Sequence, residues 1–279
     1  MAYYPKNWEE AVRKECGRRR YSERTVETYL GCINKFFTHT GKTIDKISKK
    51  DAHEFLNYLD NRGLAGSSMN VYHMALRFLL QDVMRKGMKL NIHYSRVRKR
   101  IPEVLTKEEV KRLIGKIGNW KHRLMTEVMY GGGLRVSELL NLKVCDLELD
   151  KKYGYVRDGK GGKDRIFILP EICAEKIANL IEIEKLMDES FVFLSNREER
   201  YSVRSMQEIV KRASGLACIK KKISCHTLRH SFATHLIENG NSVSDVQSLL
   251  GHKSPETTMI YVHIAGPNMI KIKSPLDEL

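Results

Sequence analysis

Between residues 21 and 86, apolar side chains recur at helical spacing in one segment after another. Each such stripe must be covered by a neighbour, which commits this stretch to a bundle of packed helices. Ser22 is a good N-cap, and behind it Val26, Tyr29, Leu30, Ile33, Phe36 and Phe37 make the first stripe. Residues 48–61 turn Ala52, Phe55, Leu56 and Leu59 inward and end at Gly63. Residues 67–86 turn Val71, Met74, Ala75, Phe78, Leu79 and Val83 inward and end at Gly87. With a shorter helix over residues 8–16, the periodicity predicts a four-helix domain over residues 1–90, with no strand signal to interrupt it.

Residues 91–103 break the pattern and concentrate charge at Arg96, Arg98, Lys99 and Arg100. Such a run is either a solvated loop or a basic strap along a DNA backbone, and its place between two domains favours the strap. A second domain, residues 104–265, opens on the capping box Thr106-Lys-Glu-Glu109. Helices are expected through Tyr130, from near Arg135, from Glu171 onward, and over residues 226–238, 242–250 and 255–261. Between them, residues 153–157 and 165–169 read as two strands joined by the glycine-rich turn at 158–164. The fold class is therefore mainly α with a small antiparallel β-sheet in the C-terminal domain. Pro267 and Pro275 interrupt any helix in the tail, residues 266–279.

A chain of 279 residues is long enough for two such cores. Lysine and arginine outnumber aspartate and glutamate by 49 to 34, a net charge of +15, and the excess is denser in residues 1–103. A polyanion is the partner that this charge favours, and nucleic acid is the first candidate. Cys16, Cys32, Cys145, Cys173, Cys218 and Cys225 lie far apart, with no Cys-x-x-Cys pair and no disulfide framework. Free thiols in a reducing cytosol fit them. No stretch approaches the roughly 20 apolar residues that a membrane helix needs, and the N-terminus lacks a signal-peptide core. The expectation is a cytoplasmic protein with no membrane partner.

The chemistry is written in three phrases: Tyr130-Gly-Gly-Gly-Leu-Arg135-Val-Ser-Glu138, His226-Thr-Leu-Arg229-His-Ser-Phe-Ala-Thr-His, and Leu249-Leu-Gly-His252-Lys-Ser-Pro-Glu-Thr-Thr-Met-Ile-Tyr261. Attack on a phosphodiester builds further charge on an anion, so cations must already be in place. Arginine suits that role, because its planar fork donates two hydrogen bonds to phosphate oxygens and stays charged. Arg135 and Arg229 are the candidate clamps. Tyr261 is the candidate nucleophile, and since a phenol ordinarily titrates near 10, its deprotonation needs a base or the field of those cations. His226 and His252 are placed to help. Glu138, three residues after Arg135, shares its helical face and either steadies the guanidinium or is a plain surface carboxylate. His230 and His235 read as structural neighbours on the same helix. His226 and His230 stand four apart, as in some zinc helices, but the glutamate of His-Glu-x-x-His is absent and no third ligand offers itself, so no metal is expected.

Singly, each of these residues has a bland reading; together and in this order they resemble the tyrosine recombinase (integrase) family, most closely its Xer-like site-specific recombinases. The resemblance is specific over residues 130–138 and 226–261 and covers nearly the whole chain. One departure is Gly132, where relatives often carry threonine or alanine. The resemblance implies an N-terminal SAM-like core-binding domain followed by a catalytic domain, closing around duplex DNA that is cut through a 3'-phosphotyrosine. It implies that His226 and His252 assist proton movement and bind the scissile phosphate. It also implies a general-acid lysine in the hairpin turn, which maps to Lys160, with Lys163 as the competitor. The implied partner is a double-stranded recombination site gripped by a homotetramer on paired sites, a monomer when free, with the tail as a contact between protomers. No cofactor is implied, because transesterification exchanges bonds of similar energy. The alternatives are type IB topoisomerase-like relaxation and a DNA-binding protein that has lost its chemistry.

Overall fold

The computed structural model describes residues 7–85, 95, 101–159, 163–195, 199–251 and 255–265. Contacts divide the chain into two compact units, residues 1–99 and 100–279.

The first unit packs α1 (Trp8–Arg18), α2 (Glu23–Thr40), α3 (Lys49–Asn61) and α4 (Gly66–Arg77) around one core. The starts of three of these helices follow from their caps. Asn7 and Ser22 accept backbone N–H groups of the first turns of α1 and α2, and Ser48 forms a reciprocal capping box with Asp51 at α3. Ile33, Phe36, Ala52, Phe55, Leu76 and Leu79 lie within the shared core. The third stripe differs from expectation. Its helix starts at Gly66 and passes at Phe78–Val83 into a π-turn, whose wider winding keeps Leu79, Leu80, Val83 and Met84 on the buried side. Met74, expected inward, is 41% exposed. The inward stripe is centred on Ala75 and Leu76, and at ~100° per residue Met74 falls about 150° from that centre.

The second unit begins with α5 (Lys107–Gly115), capped by the Thr106–Glu109 box, then α6 (Trp120–Gly131) and the short α7 (Val136–Leu140). A three-stranded antiparallel sheet follows in the order β1 (Leu147–Glu148), β2 (Tyr153–Gly159) and β3 (Lys163–Ile168), with Val156 opposite Arg165. Strand β1 adds to the two expected strands; at two residues it is too short to carry a readable period. The chain continues through α8 (Glu171–Glu184), α9 (Val203–Leu216), α10 (Cys225–Glu238), α11 (Val243–Leu250) and α12 (Pro255–Ala265). The apolar stretch at 191–194 forms isolated bridges, Phe191 to Lys143 and Leu194 to Arg200.

Leu105, Leu113, Leu124, Met125, Leu139, Phe167 and Phe193 belong to the main core of this unit. A smaller cluster gathers Phe232, Ala233, Ile237, Val246, Leu250 and Tyr261. Helix α10 serves both: Cys225 and Leu228 face the first and Phe232, Ala233 and Ile237 the second. With apolar side chains on both flanks it runs through the interior, so several of the polar residues along it, Arg229 and His235 among them, are buried.

Candidate active site

A single carboxylate organises the centre. Glu138 on α7 accepts the backbone N–H of Arg135 at 2.8 Å and Arg135 Nη1 at 2.6 Å. Arg165 on β3 donates from Nη2 to Glu138 at 2.5 Å, and Arg229 Nη1 on α10 stands 3.5 Å away. Three guanidiniums from three distant segments thus meet one buried carboxylate, which settles the reading of Glu138 against a plain surface residue. Burial would raise the Glu138 pKa, but the Arg165 guanidinium above all, then the Arg135 amide and the other two cations, hold it below the ordinary carboxylate value.

Arg229 is also fixed by the main chain. Its Nη1 donates to the Gly133 carbonyl at 2.6 Å and its Nη2 to the Leu250 carbonyl at 2.5 Å. Burial, and next the like charge of Arg135, push its pKa down to about 9, which leaves the group charged at neutral pH. Arg165 is absent from the candidates that the sequence offers. It closes the charged stretch Lys163-Asp164-Arg165 just before an apolar run, which leaves no distinctive local signal, and its second donation, from Nη1 to the Leu249 carbonyl at 2.7 Å, ties β3 to the end of α11.

Tyr261 on α12 is 2% exposed, and its hydroxyl lies 3.0 Å from Nδ1 of His230. His230, read from the sequence as a structural neighbour, thus touches the candidate nucleophile. Burial raises the phenol's pKa, while Arg229 and Arg135, in that order, pull it down, so both cations act on the same oxygen. His226 lies at the solvent-exposed surface of α10 with its ring centroid 6.4 Å from that of His230. His235 does behave as a structural partner, hydrogen bonding to the Tyr130 hydroxyl at 2.8 Å. The structure therefore brings Arg135, Glu138, Arg229 and Tyr261 together, with His226 a helical turn from His230. Lys163 opens β3. Lys160 and His252, the linker residues Arg96, Arg98, Lys99 and Arg100, and the tail after Ala265 lie outside the described residues. Among the described residues, no three His, Cys, Asp or Glu side chains gather as a metal site.

The glycines before Arg135 are required by packing. At Gly132 a Cβ would stand 2.8 Å from a Phe167 ring carbon and 3.0 Å from the Ile168 carbonyl, so this chain has no room for a larger residue there. At Gly133 the backbone is left-handed, φ +60°, and a Cβ would stand 2.4 Å from the Phe232 ring. Gly133→Ala should destabilise the unit by about 2–4 kcal/mol, from left-handed strain and overpacking together. Gly31→Ala, mid-helix in α2 with nothing within 4 Å, should be neutral or stabilising. Denaturant unfolding of the two variants measures the contrast.

Comparison with known proteins gives the family. The phage integrase family pattern matches residues 103–266, and that of the phage integrase N-terminal SAM-like domain matches residues 8–90. A tyrosine recombinase of Thermosipho africanus is 36% identical over 263 residues, covering 88% of this chain and 91% of that protein. The tyrosine recombinase XerA of Thermococcus kodakarensis is 34% identical over 256 residues, covering 90% and 88%. Among solved structures, a lambda integrase dimer bound to a COC' core site shares the fold, with TM-score 0.74, 21% identity and coverage of 98% and 99%. The chain belongs to the phage integrase family. Its activity is that of the Xer-like tyrosine recombinases, enzymes that cut DNA and exchange its strands at specific sites. Among the described residues, no helix is long and apolar enough to cross a membrane.

Proposed function

We propose that Tyr261 is the nucleophile of strand cleavage and that Arg135 and Arg229 clamp the scissile phosphate. The observation that carries this reading is that buried Tyr261 packs in one cluster with Leu250, whose carbonyl accepts from Arg229, while Arg229 and Arg135 share the carboxylate of Glu138. In cleavage the phenolic oxygen forms a bond to phosphorus, the bond from phosphorus to the 5'-oxygen breaks, and the phenolic proton leaves to an imidazole. His226 and His252 assist this proton movement and contact the phosphate. Lys160, with Lys163 as the competing candidate, protonates the departing 5'-oxygen. Religation is the reverse attack by the 5'-hydroxyl of the partner strand, so bond energy is conserved and neither ATP nor a divalent metal takes part.

Residues 1–90 form the core-binding domain, with Arg96, Arg98, Lys99 and Arg100 along the DNA backbone between it and the catalytic domain, residues 104–265. Double-stranded DNA carrying the recombination site is the partner. Four protomers act on two paired sites, with the tail, residues 266–279, as the contact between neighbours. The net charge of +15 supports the polyanion partner.

The test is a nicked duplex carrying the target site, which traps the cleaved strand on the protein. Wild-type protein should give a covalent adduct in the presence of a chelator, and Tyr261→Phe should give none while still binding the duplex. Adduct from Tyr261→Phe would remove Tyr261 as the nucleophile. Exchange between two sites, compared with relaxation of a plasmid carrying none, separates recombination from topoisomerase-like turnover.

A further inference from the structure

The atom 3.0 Å from the Tyr261 hydroxyl, within hydrogen-bond distance, is Nδ1 of His230, a residue that the proposed mechanism leaves without a part. The two rings approach with centroids 5.7 Å apart and a tilt of 46°. They meet at the edge of the small cluster formed by Phe232, Ala233, Leu250 and Tyr261. His230 also follows Arg229 directly in the chain, so one helix carries both a clamp and the group that faces the nucleophile.

The direction of this hydrogen bond depends on both the charge and the tautomer of the ring. Burial, then His226 and Arg229, push the His230 pKa down to about 4, so the imidazole is neutral at working pH. With its single proton on Nε2, the ring presents Nδ1 as an acceptor and the phenol donates. A phenolic hydrogen lies near the plane of its ring, so pinning O–H toward His230 fixes where the oxygen's remaining lone pairs point. Removing this acceptor removes the contact that directs the hydroxyl toward α10.

We propose that His230 is a positioning residue for the nucleophile, holding the Tyr261 oxygen in register with the arginine clamp by accepting its hydrogen bond at Nδ1. The inference rests on the assignment of Tyr261 as nucleophile. It adds no covalent step to the reaction.

The experiment measures the rate of adduct formation at saturating nicked duplex, alongside DNA affinity, for His230→Leu, His230→Asn and His230→Gln, with Tyr261→Phe as reference. Asparagine places an amide oxygen close to where Nδ1 stands, whereas glutamine places it one bond further out. Leucine should slow adduct formation roughly tenfold with affinity unchanged, the size expected for a lost orienting hydrogen bond. Asparagine should restore most of the rate, and glutamine should not. A leucine variant reacting at the wild-type rate overturns the inference. So does a series in which leucine, asparagine and glutamine are equally slow, which marks His230 as packing alone. If Tyr261→Phe itself forms the adduct, the nucleophile assignment fails and His230 loses its role with it. If phenylalanine abolishes the adduct while leucine at 230 leaves the rate untouched, only the present inference falls.

Discussion

Glu138→Gln should be among the most destabilising isosteric changes available to the catalytic unit, lowering its stability by roughly 3–5 kcal/mol, the range for breaking a buried ion pair from one side. The side chains of Glu138, Arg165 and Arg229 are only 7%, 8% and 3% exposed, so water screens the Arg165 and Arg229 guanidiniums poorly once the carboxylate is gone, and Arg135, at 22%, better. Glutamine keeps the shape and one acceptor oxygen. It also turns an amide donor toward groups that can only donate. At about 2–4 °C per kcal/mol for a unit of this size, the melting temperature should fall by roughly 6–20 °C.

The pH dependence has a definite sign. The Glu138 pKa is depressed below its ordinary 4.5, so its stabilising contribution is fully present above that value and is lost as pH falls through the folded-state pKa. The gap between wild type and variant should therefore be widest near neutrality and close in acid. An anion bound by the three cations replaces part of the missing charge, so sulfate or target DNA should raise the melting temperature of Glu138→Gln more than that of wild type. Equal shifts for both proteins would show that the cations are not gathered for an anion.

Much of the fold was legible because its signals are local. Ser22, Ser48 and Thr106 mark helix starts by chemistry within three residues of themselves, and the stripes of α2 and α3 repeat long enough to show their phase. The π-turn at Phe78–Val83 was not legible. One extra residue per turn over a single turn leaves the apolar spacing near four, within what an α-helix also shows. Arg135, Arg229 and Tyr261 could be linked only through the order of whole phrases, since nothing local to any of them says that it meets the others. Arg165 and His230 mark the boundary of that reasoning. Each is defined by a partner far away in sequence, Glu138 and Leu249 for the first and Tyr261 for the second. A lone arginine in a strand, or a second histidine on a helix, has bland explanations until those distances are known.

Arg229→Lys should be a severe change although it conserves charge. The arginine fork reaches two backbone carbonyls at once, Gly133 at the turn after α6 and Leu250 at the end of α11, and so binds together the segments that carry Arg135 and lead to His252. Two of its five N–H groups are spent there, which leaves the others for Glu138 and for a phosphate. A lysine ammonium is a single point that cannot reach both carbonyls. One of them is then buried without a donor, at about 1–3 kcal/mol, and the planar, two-pronged contact with a phosphate is lost. Adduct formation should drop by roughly 100- to 1,000-fold, the usual loss when one prearranged transition-state donor is removed, with a melting temperature several degrees lower. The two effects separate by measurement well below the variant's melting temperature, where the protein is folded and only the chemical step is slow. Near-wild-type cleavage by Arg229→Lys under those conditions would leave Arg229 as a structural pin and remove it from the clamp.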